Sequence, residues 1–116
     1  MSSFRDRIPR NDKTPAAALD YEIVQEMAAA LGRLGRRLER ALQALAEFDE
    51  ADAADIEERR RERRALLAEA GDALWHLVVQ REACGLRDSR QLMRDYRVPP
   101  EVQHRMGISA GSKPRA

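Results

Sequence analysis

His76, Cys84 and His104 are the side chains of this chain best suited to hold a zinc ion. Their separations match no recognised metal spacing. His76 shares a helix face with Gln80, which reads as a core or interface histidine. Cys84 stands beside an expected helix end and reads as a small buried apolar residue rather than a nucleophile. No glycine-rich phosphate loop, no Ser-His-Asp order and no Glu-x-x-His motif is present. Trp75, with Tyr21, Phe4 and Phe48, reads as core rather than as a ligand cage. The expectation is no metal, no cofactor and no enzymatic activity.

Charge is the other chemistry on offer. Five of the six positions from 59 to 64 are arginine. Such a run suits phosphates. On a helix, however, it spreads around the whole circumference, and Glu57, Glu58 and Glu62 are interleaved with it. Glu57 and Arg61 form a favourable i,i+4 pair. A solvated face is the simpler reading, with some arginine stems covering Leu38 and Leu42.

The net charge of +1 hides a division along the chain. Residues 1–14 carry +2, residues 15–86 carry −5 and residues 87–116 carry +4. Basic ends on an acidic middle suit an anionic partner or contacts between copies. Residues 91–106 also have the look of a helix-turn-helix, with Arg94, Arg97 and Arg105 supplying positive charge. Against that, Arg97 stands at the usual turn glycine, and the second helix is short for reaching base edges.

The elements that must position these groups are helical. Of the 116 residues, 43% are apolar and 35% charged, and the set is dominated by Ala, Leu, Glu and Arg. These are good helix formers. Strand-like alternation between turn dipeptides is absent. One cysteine excludes a disulfide framework. No apolar stretch approaches the roughly 18 residues of a membrane span. Residues 1–10 lack the apolar core of an export signal, so the expected location is the cytoplasm.

Residues 1–13 read as a mobile basic arm, and residues 108–116 as a disordered tail. Between them, residues 14–107 read as one helical domain with helices over about 15–48, 53–84, 89–96 and 100–106. Thr14 and Pro15 suit the start of the first. Asp52, with Asp55 three residues later, suits the start of the second, and Asp88 with Gln91 resembles a capping box for the third. Gly85 suits the left-handed residue after the second helix. Val98-Pro99-Pro100 separates the third from the fourth.

Val24, Met27, Leu31, Leu34, Leu38, Ala41, Leu45 and Phe48 are spaced three and four residues apart in strict alternation. That is a heptad seam, flanked by Ile23, Ala30 and Leu42, with Ala28 and Gly35 on its other side. Gly32 and Gly35 each weaken the helix, unless Gly35 admits a close neighbour. The first two helices match in length at about 50 Å each. A hairpin is therefore preferred to one rod of about 105 Å, although no Gly or Pro breaks residues 49–52.

Residues 74–86 (LWHLVVQREACGL), followed by Tyr96-Arg97-Val98-Pro99-Pro100-Glu101-Val102 and Met106-Gly107, resemble a small all-helical bacterial family of unknown function. The resemblance covers roughly residues 15–107. It implies no activity, substrate or cofactor.

The fold expected is all-α: a long antiparallel, coiled-coil-like hairpin, then two short helices over its open end near Trp75 and Leu86. In such a hairpin Leu38, Leu42, Leu45 and Phe48 face the charged half of the second helix, where Ile56 is the one large apolar residue. Half-wet leucines lose roughly 1.5–3 kcal/mol each. A second copy would cover them and give a dimeric four-helix bundle. The expected interface is Val24, Met27, Leu31, Leu34, Gly35, Leu38, Leu42, Leu45, Phe48 and Ile56. The expected function is a non-enzymatic protein–protein interaction or oligomerisation module. The alternative is a nucleic-acid-associated regulator using the basic arm and residues 87–107.

Overall fold

Thr14 starts the first helix by accepting a hydrogen bond from the Ala17 amide at 3.0 Å. Pro15 follows at the first helical position, where its missing N–H costs nothing. The computed structural model describes residues 14–51 and 55–106. The expected basic arm, the C-terminal tail and Asp52 lie outside the described residues. Four helices occur among the described residues: α1 (Pro15–Glu50), α2 (Ile56–Ala83), α3 (Ser89–Asp95) and α4 (Pro100–Met106). No strand occurs among the described residues.

Local chemistry sets the later boundaries. Asp55 caps α2 by accepting from the amides of Glu57 and Glu58 at 3.0 and 3.2 Å. Gly85, at φ +88°, ends α2. Its amide bonds to Glu82 and that of Leu86 to Arg81, the two bonds of a Schellman turn. Asp88 accepts from the Gln91 amide at 3.2 Å. The Gln91 side chain turns to Asp95 and Arg94 instead of back to Asp88, so only half of a capping box forms.

The chain divides into two compact units, residues 1–30 and 31–116. In the first, the described part is helix, and Leu19, Tyr21, Ile23 and Val24 are exposed, while Met27 and Ala30 are half-buried. Tyr21 is thus no core residue.

In the second unit, α1 and α2 run antiparallel. Arg37 meets Glu69 and Asp72, whereas Asp49 meets Arg63 and the Phe48 carbonyl meets Arg59. The core joins Leu38, Ala41 and Leu45 of α1 to Ala70, Ala73, Leu74 and Leu77 of α2. Leu92, Val98 and Val102 from the C-terminal segment complete it. Burying side chains of this size stabilises by roughly 1.5–3 kcal/mol each.

This arrangement corrects the expectation of a half-wet seam. Leu38 is 0% and Leu45 4% exposed, because the chain's own α3–α4 segment covers them. The Schellman turn sends the chain back toward the α1–α2 connection, where Glu101 meets Arg63. Tyr96 accordingly packs on Gly35, and Leu86 stays exposed.

Candidate interaction surface

Two arginines hold the second unit together. Arg63 of α2 makes paired hydrogen bonds to Asp49 of α1, at 2.7 and 3.0 Å, and to Glu101 of α4, at 2.8 and 2.9 Å. Its planar fork fits two carboxylates at once. Bonding to Arg63 holds both carboxyls below their ordinary values, and bonding to Glu101 and Asp49 raises Arg63 in turn. Arg37 repeats the device with Glu69 at 2.9 and 3.0 Å and Asp72 at 2.8 Å, and its own pKa is raised by them. Arg37 Nη1 also lies 3.2 Å from His76 Nδ1, which is 2.9 Å from the Asp72 carbonyl. His76 is exposed on this ionic node, not in the core.

The rest of the arginine run divides by position. Arg59 lies over the Phe48 ring at 4.2 Å and donates to the Phe48 carbonyl at 2.8 Å. Arg60 and Arg61 pair with Glu57 and Glu58 on their own helix. The Arg59 guanidinium therefore covers Phe48, while Arg63 shares the lining of a small pocket with Leu42 and Leu45.

Between α1 and the α3–α4 turn lies an open groove of about 840 Å³. Leu42, Ala46, Tyr96 and Pro99 give it an apolar floor, and Glu39, Gln43, Asp95 and Arg97 line it with polar groups. Arg97 sits at φ +51°, the left-handed region. It closes a second Schellman turn, with Val98 bonded to Met93 and Arg97 to Arg94. Arg occupies here the place that Gly85 takes after α2.

Two exposed surfaces remain. Leu19, Tyr21, Ile23 and Val24 are 57%, 62%, 46% and 60% exposed within three turns of α1. Arg87, Arg90, Arg94 and Arg97, spaced three, four and three residues apart, are all exposed. The first is apolar with carboxylates, the second cationic.

A model of a family of unknown function, DUF6665, matches residues 7–114. The chain belongs to DUF6665. No curated protein and no solved structure matches it. The match agrees with the resemblance read from the C-terminal half and carries no activity with it.

The structure separates the ten interface residues expected for this DUF6665 chain. Val24 is open to solvent, and Met27 is half-buried. Gly35, Leu38 and Leu45 are buried within the second unit. Leu31, Leu34, Leu42 and Phe48 are half-buried there, and Ile56 is exposed. Sequence reading missed Leu19, Tyr21 and Ile23, although Ile23 flanks the seam by position. It also missed the grips of Arg37 and Arg63, which join residues 14 to 38 positions apart. Cys84 is half-buried, with the Gln80 amide 3.8 Å from its sulfur. Trp75 is half-buried and meets His76 edge-on at 5.5 Å. No described helix is long and apolar enough to cross a membrane. Among the described residues no cluster of His, Cys, Asp or Glu fit to hold a metal ion occurs.

Proposed function

We propose that this DUF6665 chain is a non-enzymatic helical interaction module that self-associates as a dimer through the first half of α1. The observation that carries this reading is the exposure of Leu19, Tyr21, Ile23 and Val24. On the helix Leu19 neighbours Ile23, and Tyr21 neighbours Val24, two exposed apolar pairs of the kind that marks an interface. The leucines first expected to bind a second copy are covered within the chain. The dimer therefore uses the opposite half of the same helix, and a four-helix bundle built on Leu38 and Leu45 is not part of the reading. The same reading puts the protein in a reducing cytoplasm, where a lone thiol such as Cys84 persists.

Light scattering on the purified chain tests it. The expected mass is that of two chains for the wild type and of one chain for Ile23→Glu/Val24→Glu. Both positions are exposed, so the variant keeps its helical circular dichroism. A wild type of one-chain mass at high micromolar concentration overturns the reading.

A further inference from the structure

The two exposed surfaces are opposite in charge. Residues 15–30 carry Asp20, Glu22 and Glu26 and no cation. On a helix, Asp20 shares a face with Ile23 and Val24, three and four residues on, and Leu19 sits one turn from Ile23. An apolar stripe there carries carboxylates within it and beside it.

The arginines of residues 87–97 are the counterpart. Arg37 and Arg63 each grip two carboxylates, and Arg60 and Arg61 each hold one. Arg87, Arg90 and Arg97, by contrast, meet no carboxylate among the described residues. Arg94 bonds only to the side-chain amide oxygen of Gln91, at 2.8 Å. The two acids in this stretch are already engaged, Asp88 with the Gln91 amide and Asp95 with the Gln91 side chain. Arg90 and Arg94 share one face of α3. Leu86, immediately before Arg87, is 45% exposed and adds an apolar contact.

Arg90 and Arg94 repel as like charges one turn apart, and docking a carboxylate-bearing surface on them relieves that repulsion. We propose that in the dimer the Leu19–Asp20–Ile23 face of one copy, flanked by Glu22 on one side and Val24 on the other, docks on the Leu86–Arg87–Arg90–Arg94 face of the other. The occupant of the cationic face is thus a second copy of this chain, and this inference rests on the self-association proposed above. A two-chain assembly makes this contact twice, once in each direction. A single contact would leave one face of each kind open and would propagate into a filament.

Charge exchange tests the pairing, with mass read by sedimentation. Asp20→Arg/Glu22→Arg and Arg90→Glu/Arg94→Glu are each expected to weaken dimerisation roughly a hundredfold or more, the scale of like charges juxtaposed at an interface. An equal mixture of the two variants is expected to recover a two-chain mass, because opposite charges face each other again. That recovery also shows that both variants are folded. If the arginine variant stays dimeric while Ile23→Glu/Val24→Glu is monomeric, self-association stands and this docking partner is wrong. If the wild type is monomeric, both fall. The competing use of the arginines is a nucleic-acid backbone. An arginine variant that stays dimeric but loses salt-sensitive binding of fluorescein-labelled duplex DNA overturns the proposal in favour of that use.

Discussion

A methyl group added at Gly35 would run into the Tyr96 hydroxyl, and one added at Gly32 would not. Nearest to the Gly32 site is Arg36 Nη1 at 3.4 Å, the free end of a flexible chain. Gly32→Ala is therefore expected to stabilise by up to about 1 kcal/mol, the ordinary helical gain. Gly35→Ala gains the same but must displace a ring packed in the groove, for a net loss of about 1 kcal/mol. Without the hydroxyl, the nearest atom of the ring is Cζ at 3.5 Å, an ordinary contact. Urea titration should therefore find Gly35→Ala stabilising in a Tyr96→Phe background. Destabilisation there would show that the whole ring, not its oxygen, sets the fit. Arg97 poses a backbone question of the same kind. A left-handed conformation costs a side-chain-bearing residue about 1–2 kcal/mol. Arg97→Gly is expected to stabilise by about 1 kcal/mol in the same titration, after allowing for glycine's freer unfolded chain. A loss instead would mean that the Arg97 side chain contributes more at the groove than its backbone costs.

Helix α4, of seven residues, is held by Val102 in the core, one close approach and one ion clasp. A Cβ at Gly71 would lie 3.2 Å from the Arg105 carbonyl carbon, so backbone rather than a mobile tip is in the way. Gly71→Val is expected to cost about 1–3 kcal/mol and to loosen α4, as faster hydrogen exchange at Val102 would report. Losing the Arg63 grip costs less, about 1 kcal/mol for Arg63→Gln at pH 7, because its partners are partly exposed. That difference depends on pH. Both carboxyls are held below their ordinary values of 3.8 and 4.5. The clasp then contributes fully above those values and is lost as pH falls through the lowered ones. Wild type and Arg63→Gln should differ at pH 7 and converge once the pH has fallen below the lowered carboxyl values, and equal stability at pH 7 would remove the clasp from α4 docking. The clasp and the helix starts were unequally legible. Thr14 and Gly85 act within a turn, so their roles could be read from neighbours, whereas Asp55 takes the cap that the sequence reading gave to Asp52. What covers Leu38 depended on the path after Gly85, and the covering side chains are single buried residues, Leu92 and Val102, in two short helices. Arg63 offered no signal of its own inside a run of arginines. The hairpin mismatch was read correctly, but its solution lay in cis.

For the molecule as a whole, a charge of +1 predicts little long-range attraction, yet its parts are strongly unlike. Residues 15–30 carry −3, and residues 87–116 carry +4. Segregation of that kind matters when two molecules meet, because each local patch sees its counterpart within a screening length of about 8 Å at physiological salt. Apolar contacts, by contrast, are not screened. A dimer made from both should weaken as salt rises through the physiological range and then level off where the apolar contribution remains. Self-association also couples to folding, since a partner that binds only the folded chain stabilises it by mass action. The thermal midpoint of the wild type is therefore expected to rise with protein concentration, by less at high salt than at low salt. For Ile23→Glu/Val24→Glu it should stay flat at every salt concentration. Differential scanning calorimetry across a hundredfold range of concentration separates these cases. A wild-type midpoint independent of concentration would mean that the first half of α1 folds and functions without a second copy. The four apolar side chains exposed on it would then have to be met by a different protein.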